Sequence, residues 1–140
     1  MVLLDSDHMS LLQRGGAAGN RIKERLGNLP AEEVATTIIS YEEQMRGWLA
    51  RLAKANTLER QISDYRELKI LLRKYCSIPV VDFGTEAATR FENLKQGQIR
   101  VGSMDLKIAA IALANEATLL TRNLIDFGRS RGLKVEDWSI

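Results

Sequence analysis

The sequence predicts a single α/β domain over residues 1–140, built as a three-layer α/β/α sandwich with a mainly parallel central sheet. Three observations support this fold class. Short apolar runs alternate along the chain with longer segments of helical periodicity. The 140 residues suit one domain, and 45% hydrophobic with 27% charged residues is an ordinary globular composition. No internal repeat, low-complexity tract or linker divides the chain.

Two strands are predicted in the first third of the chain. Residues 2–4 (VLL) form an apolar run too short for a helix, and residues 34–40 (VATTIIS) are rich in β-branched side chains. Between them, the pattern of residues 21–26 predicts a short helix. The glycine-rich residues 14–20 lack the spacing of a phosphate-binding loop, so they predict a turn between helices.

A helical hairpin is predicted after the second strand. Apolar residues recur at helical spacing from 42 to 75, with a break at 54–57 where Thr57 is the expected N-cap of the second helix. Residues 77–83 (SIPVVDF) predict a third strand, with Pro79 near its start, where a missing backbone N–H costs least. This order of strand, helices and strand favours a parallel sheet.

The last third of the chain continues the alternation. Residues 84–97 predict one helix, and residues 102–116 predict another with Ser103 as its N-cap. Residues 117–123 and 133–138 predict a fourth and a fifth strand. Five strands separated by helices complete the predicted sandwich.

Composition limits the functional classes. A net charge of +2 predicts no strong polyelectrolyte behaviour, although 20 Lys and Arg could still form a local basic face. The single cysteine excludes an internal disulfide and suits a reducing cytosol. No apolar run approaches the roughly 18 residues that a membrane span needs. We therefore expect a cytoplasmic protein without a membrane partner.

Acidic residues follow the predicted strands, at the sheet edge where α/β domains bind ligands. The polar residues at this predicted edge are Asp5, Asp7, Glu42, Glu43, Asp82, Asn123 and Asp126, together with Asp105 in the first turn of a helix. Each acid alone could end a strand or complement a helix dipole. Several ionised carboxylates held close together repel each other, however, and a divalent cation relieves that repulsion. With one histidine and one cysteine in the chain, this set favours Mg²⁺ or Mn²⁺ over zinc.

Four segments carry a family resemblance. The chain opens on LLDSDHMS, a strand that ends on Asp and continues with a hydroxyl residue and a second acid. TTIISYEEQMRG combines a strand with two adjacent glutamates, Glu42 and Glu43, and with Gly47 four residues after the second. GSMDLKIAAIAL opens a helix around an Asp, and ATLLTRNLIDF follows it. In this order and over nearly the whole chain, these segments resemble PIN domains.

The resemblance implies a metal-dependent nuclease. Short bacterial PIN domains are mostly VapC-like toxins of toxin–antitoxin pairs and act as endoribonucleases. By resemblance, Asp5, Glu43 and Asp105 are catalytic residues and ligands of Mg²⁺ or Mn²⁺, and the spacing to Gly47 selects Glu43 over Glu42. Where many members carry Asp after Thr-Arg, this chain has Asn123. Asp126, three residues on, is the candidate that supplies the missing charge as a fourth catalytic and metal-binding residue.

The resemblance also implies RNA as the substrate, with Ser6 and Asn123 among the expected substrate-binding residues. Arg46 is the third, because it lies one turn on from Glu43 and could contact a substrate phosphate or a carboxylate. Hydrolysis of RNA phosphodiester bonds by water would leave 5′-phosphate and 3′-hydroxyl ends. The expected protein partners are a cognate antitoxin, for which the hairpin at 42–75 is a candidate contact surface, and a second copy of the chain in a homodimer.

Two other interpretations remain open. Asn123 in place of an acid allows a catalytically weak PIN fold that binds RNA or a protein partner without cutting. The opening Asp-x-Asp also resembles haloacid-dehalogenase-like phosphatases, in which Asp5 would be the nucleophile and Asp7 a general acid. In the nuclease interpretation, Asp7 instead caps the helix that follows or orients a neighbour. His8 is expected to be structural or on the surface.

Overall fold

A parallel five-stranded sheet forms the centre of the molecule. The computed structural model describes residues 1–97 and 101–140. The strands are β1 (Val2–Leu4), β2 (Val34–Thr37), β3 (Val80–Val81), β4 (Thr118–Leu120) and β5 (Lys134–Glu136). Their order in the sheet is β3-β2-β1-β4-β5, and all four neighbouring pairs are parallel. This arrangement confirms the predicted α/β class and the parallel sheet.

Helices connect the strands and cover both faces of the sheet. They are α1 (Ser6–Arg14), α2 (Gly16–Leu26), α3 (Ile38–Lys54), α4 (Leu58–Cys76), α5 (Thr85–Gln96), α6 (Ser103–Ala114) and the short α7 (Leu124–Phe127), with one 3₁₀ turn at Ala31–Glu33. Within the two described ranges, no helix is both long and apolar enough to cross a membrane.

The sheet separates two hydrophobic cores, as the alternation of side chains along a strand requires. Leu3 of β1 packs into one cluster with residues of α5 and α6. Its neighbours Val2 and Leu4 pack into the other, with Met9 of α1 and Leu71 of α4. Buried apolar residues on both faces stabilise a layer of helices on each side, so the predicted three-layer sandwich is confirmed.

The predicted second strand is wrong in its second half. Residues 34–37 form β2, but α3 begins at Ile38. The Thr37 side chain caps this helix by accepting a hydrogen bond from the backbone N–H of Ser40 at 3.1 Å. A local cap together with the burial of Ile39 outweighs the β propensity of the two isoleucines. Glu43 therefore lies on a helix, one turn inside its start.

Three other boundaries differ from the prediction. The turn predicted at 14–20 is only one residue long, Gly15, because α2 already begins at Gly16. Gly15 and Gly16 have positive φ angles of 73° and 70°, which glycine adopts without strain. Ser103 is not an N-cap, because Gly102 holds that position and Ser103 is the first helical residue. The third strand is only two residues long. By contrast, Thr57 does cap α4, accepting from the Arg60 backbone N–H at 3.1 Å.

Two helical glycines give a matched stability test. A Cβ at Gly19 would lie 2.4 Å from the carbonyl oxygen of Leu11, whereas a Cβ at Gly47 would meet nothing within 4 Å. Gly19→Ala should lower the free energy of unfolding by about 2 kcal/mol because backbone must move. Gly47→Ala, inside α3, should raise it by about 0.5–1 kcal/mol through helix propensity. Urea denaturation of both variants measures these changes in the free energy of unfolding. Equal changes in the two variants would contradict close packing of α1 on α2.

Candidate functional site

An acidic pocket opens at the carboxyl edge of the sheet, between the ends of β1 and β4. This is where the strand order changes direction, the position at which open α/β sheets bind ligands. The pocket has a volume of about 470 Å³. Its lining residues are Asp5, Ser6, Asp7, Glu43, Asp105, Ile108, Arg122, Asn123 and Phe127. The pocket thus brings together five of the seven predicted site residues.

Asp5 is the most buried acid of the pocket, with 7% of its surface exposed. Its backbone N–H donates to the Leu120 carbonyl at 3.1 Å, which ties the end of β1 to β4. Its carboxylate caps α1 by accepting from the His8 backbone N–H at 2.8 Å. The cap expected of Asp7 is therefore made by Asp5. Asp7 lies in the first turn, where its Oδ2 is 3.5 Å from Nε of Arg122.

Two adjacent glutamates of α3 have different surroundings. Glu43 lines the pocket and accepts a hydrogen bond from the Ser6 hydroxyl at 2.7 Å. Glu42 instead pairs with Arg46 at 2.6 Å, one turn along the same helix. The Arg46 side chain is 70% exposed and is not among the residues that line the pocket. The spacing to Gly47 thus selected the glutamate that faces the pocket, while Arg46 lies apart from it.

The pKa of Asp105 reflects the burial and the negative charge of the pocket. It lies in the first turn of α6, and its pKa is raised from 3.8 to about 6. The largest cause is burial, followed by the negative charges of Glu43, Asp5 and Asp126. Three acids from other segments of the chain therefore act on the Asp105 carboxyl group, which is the mutual repulsion expected of a cation site.

Asn123 and Asp126 form a unit at the start of α7. The Asn123 amide donates to Oδ2 of Asp126 at 3.0 Å, and its oxygen accepts from the Asp126 backbone N–H at 3.4 Å. Asn123 lines the pocket, whereas Asp126 is not a lining residue and acts on Asp105 through its charge. The amide thus stands at the pocket wall with the carboxylate behind it.

Sequence comparison identifies the family of this fold. The PIN domain family model matches residues 2–129. The chain belongs to the PIN domain family. Among curated protein sequences, none gives a significant match to this PIN domain.

Several solved structures similar to this PIN domain are of VapBC proteins. VapBC-1 from nontypeable Haemophilus influenzae has a TM-score of 0.74 and 23% identity, with 100% of each chain covered. VapBC2 from Rickettsia felis, bound to a DNA fragment from its promoter, has a TM-score of 0.72 and 23% identity, covering 99% of each chain. VapBC-5 from Mycobacterium tuberculosis, a member of the VapBC family of toxin-antitoxin systems, has a TM-score of 0.61, 20% identity and 96% coverage of each chain. At these identities the similarity establishes the fold.

The donor set of this PIN domain fits a hard divalent cation. Asp5, Glu43 and Asp105 offer only carboxylate oxygens, and they line one open pocket. Within the described residues, no three potential ligands are already gathered around one point. The three carboxylates come from separate segments of the chain, and the negative charges of Glu43 and Asp5 contribute, after burial, to the raised pKa of Asp105.

Gln44 was not predicted from the sequence, yet it supports the site from behind. Its amide nitrogen donates to the Ser10 hydroxyl at 2.6 Å and to the Ser6 carbonyl at 3.3 Å, and its oxygen accepts from the Tyr75 hydroxyl at 2.6 Å. Burial and the charge of Glu43 raise the pKa of Tyr75, so its hydroxyl stays a donor. Gln44 thereby joins α1, α3 and α4 next to the Ser6–Glu43 hydrogen bond. A lone glutamine carries no sequence signal for such a role.

Replacing Gln44 tests this support. Gln44→Leu should lower the free energy of unfolding by about 2–3 kcal/mol, because it leaves several partly buried polar groups without partners. Gln61→Leu is the matched control, since Gln61 makes a single long bond of 3.4 Å to the Ala55 carbonyl. We expect Gln61→Leu to change stability by less than about 0.5 kcal/mol. Similar values for the two variants in chemical denaturation would contradict the bridging role of Gln44.

Proposed function

We propose that this PIN domain is a Mg²⁺- or Mn²⁺-dependent endoribonuclease and the toxin of a toxin–antitoxin pair. One observation carries the proposal: Asp5, Glu43 and Asp105, which are far apart in sequence, line one pocket at the switch point of the sheet. The raised pKa of Asp105 supports a cation site there, because burial and the neighbouring negative charges both disfavour its ionisation and a cation would offset both.

In this proposal, Asp5, Glu43 and Asp105 hold the cation. When bound, the cation supplies activation of the attacking water and neutralisation of phosphate charge. Ser6 fixes the orientation of Glu43 through its 2.7 Å hydrogen bond. Asp126 contributes negative potential from behind Asn123, which is the role that its effect on Asp105 supports.

Arg122 and Asn123 are the proposed substrate contacts inside the pocket. Arg122 lines the pocket beside Asp7, with 54% of its side chain exposed, so its guanidinium is available to a phosphate oxygen. The Asn123 amide stands at the same wall. Arg46 lies outside the pocket, so any substrate contact it makes is with RNA beyond the cleavage point, after release from Glu42.

The proposed protein partners are an antitoxin and a second copy of the chain. The similar structures support an antitoxin, since VapBC-5 is a member of a family of toxin-antitoxin systems. On this protein, the α3–α4 hairpin offers an apolar surface, with Leu58, Ile62 and Tyr65 exposed by 76%, 59% and 60%. Size-exclusion chromatography with light scattering, with and without a protein co-expressed from a neighbouring gene, tests both partners.

An RNase assay tests the catalytic proposal. The protein should cleave RNA with Mg²⁺ or Mn²⁺, lose activity with a chelator, and leave 5′-phosphate and 3′-hydroxyl ends. Cyclic phosphate ends would contradict attack by water. Activity that survives both Asp5→Asn and Asp105→Asn would reject the metal-nuclease site.

RNA binding without cleavage would instead favour the non-cutting module that Asn123 leaves open. The phosphatase interpretation has no support from the PIN family match.

A further inference from the structure

His8 occupies an unusual position behind the acidic pocket. It is the only histidine of the chain and its side chain is completely buried. The ring lies between two acids, with Nδ1 3.6 Å from Oδ1 of Asp5 and Nε2 3.6 Å from Oδ1 of Asp137. A buried imidazole in contact with a site carboxylate needs a physical explanation, because burial of a polar group without partners is costly.

The hydrogen bonds define the tautomer of this ring. Nε2 accepts a hydrogen bond from the backbone N–H of Trp138 at 3.2 Å, so Nε2 carries no proton. In a neutral imidazole, the proton then resides on Nδ1. Nδ1 has no hydrogen-bond partner in the described part of the chain, and its 3.6 Å separation from Asp5 is too long for a hydrogen bond. The ring thus presents an unsatisfied buried donor to the Asp5 carboxylate.

His8 contacts the same oxygen of Asp5 twice. The His8 backbone N–H donates to Oδ1 at 2.8 Å, and the ring faces Oδ1 from Nδ1. Both contacts leave out Oδ2. Contacts to one oxygen fix the rotation of a carboxylate while the other oxygen remains available to a ligand, which is how outer residues commonly orient metal-binding groups.

The other side of the ring rests on the C-terminal segment, residues 137–139. The Arg21 side chain donates to the Ser139 carbonyl at 2.8 Å, and the Arg25 guanidinium lies 4.3 Å from the centre of the Trp138 ring. Asp137 accepts hydrogen bonds from the Ser139 backbone and hydroxyl at 2.8 and 2.5 Å. Contacts from α2 therefore fix the C-terminal segment in place, and Trp138 of that segment donates a hydrogen bond to His8. The opposite side of the His8 ring faces Asp5.

We propose that His8 is a positioning residue that orients Asp5 for cation binding and couples the site to the C-terminal segment. The ring is a neutral Nδ1–H donor, and its 3.6 Å separation from Asp5 shortens into a hydrogen bond when the carboxylate takes up its binding orientation. The inference rests on the proposed metal-nuclease function. It also goes beyond the family match, because that match ends at residue 129 while the supporting segment is 137–139.

Spectroscopy on the unmodified protein gives the first test. Because the chain has one histidine, a long-range ¹H–¹⁵N correlation spectrum of ¹⁵N-labelled protein contains a single imidazole. At pH 7.5 without metal, we expect a protonated Nδ1 and an unprotonated Nε2. Adding Mg²⁺ should shift the Nδ1 signal. The proposal would be overturned by a proton on Nε2, alone or together with one on Nδ1. It would also be overturned if the Nδ1 signal did not shift when Mg²⁺ binds.

Two variants separate positioning from packing. His8→Leu keeps a large side chain without a donor and should weaken Mn²⁺ binding by about tenfold or more, measured by electron paramagnetic resonance of free Mn²⁺. His8→Asn returns an N–H donor near the Nδ1 position and should bind within about threefold of the original protein. Equal losses in both variants would indicate packing alone and overturn the proposal, as would unchanged binding in His8→Leu.

The outcomes for His8 and for the metal site are distinguishable. Failure of the original protein to bind Mn²⁺ would reject the metal site itself, and the positioning role with it. Mn²⁺ binding by the original protein that His8→Leu does not alter would reject only the positioning role. Should His8→Leu not fold, the tautomer and its response to Mg²⁺ in the original protein still decide the question.

Discussion

Asp5→Asn is expected to lower the rate of RNA cleavage by about 10²–10³-fold or more, because it removes a buried charge from the centre of the site. The fold should survive, since Asn is as good an N-cap as Asp and can still accept from the His8 backbone N–H. Asp5 is also fixed by β4 through its own N–H, so the substitution changes charge with little change in position.

Asp7→Asn, two residues away, should reduce cleavage by less than about tenfold. Asp7 lines the same pocket, but its side chain is 45% exposed and its partner is Arg122 rather than the other acids. Exposed ion pairs of this kind contribute at most about 1 kcal/mol. Cleavage rates of both variants at saturating Mn²⁺, with circular dichroism to verify folding, measure the asymmetry. Equal losses would mean that the roles assigned to these two acids are wrong.

Asp105→Asn should abolish cleavage and, without metal, make the protein more stable. The raised pKa of Asp105 means that ionisation of this carboxyl costs free energy in the folded state. Removing the charge removes that cost. Because the side chain is only half buried, solvent screening limits the gain to about 1 kcal/mol, or roughly 3–4 °C in Tm. Differential scanning calorimetry in chelator at pH 7.5 measures the gain.

The pH dependence of this gain has a definite sign. Above about pH 6, Asp105 is ionised in both the folded and the unfolded protein, and the folded state bears the full cost. As pH falls from about 6 towards 3.8, the folded protein takes up a proton first, so the cost fades. Below 3.8 the carboxyl is protonated in both states and no cost remains. The stability difference between Asp105→Asn and the original protein should therefore shrink between pH 7 and pH 4.

Metal should reverse the order of thermal stability of the original protein and Asp105→Asn. Saturating Mg²⁺ or Mn²⁺ stabilises only a folded protein that binds it, so the original protein should gain Tm with metal and Asp105→Asn should not. Asp82→Asn is the matched control, because Asp82 is an exposed acid after β3 at the same sheet edge and does not line the pocket. A metal response in Asp105→Asn equal to that of Asp82→Asn would contradict a cation site at Asp105.

The sequence predicted the order of the elements well, and it predicted the sheet edge at which Asp5, Glu43 and Asp105 meet, because both depend on local patterns and on a general property of parallel sheets. It predicted boundaries less well wherever side chains act locally. Thr37 ends a β-branched run that looks extended, since its hydroxyl caps a helix. Asp5 takes the cap expected of Asp7, because the strand ends one residue before it.

Long-range contacts explain what the sequence could not reveal. Nothing near His8 in the sequence predicts that its Nε2 accepts a hydrogen bond from the backbone N–H of Trp138, 130 positions away. The Gln44 network likewise depends on Tyr75 from another helix. Arg46 shows the opposite case: its spacing from Glu43 suggested a place in the pocket, but Glu42 lies one turn before it on the same helix and pairs with it.

The central position of β1 has a consequence for biosynthesis. Val2 aligns with Val34 on one side and with Thr118 on the other, so the first strand made is completed by one of the last. Until residues 118–120 leave the ribosome, Asp5 lacks the Leu120 carbonyl that holds its backbone. Such long-range parallel pairing is also slow to form. A chain that has been made only to residue 117 contains Asp5, Glu43 and Asp105 but not the pocket, so a nuclease of this topology should become active only after residues 118–120 have been synthesised.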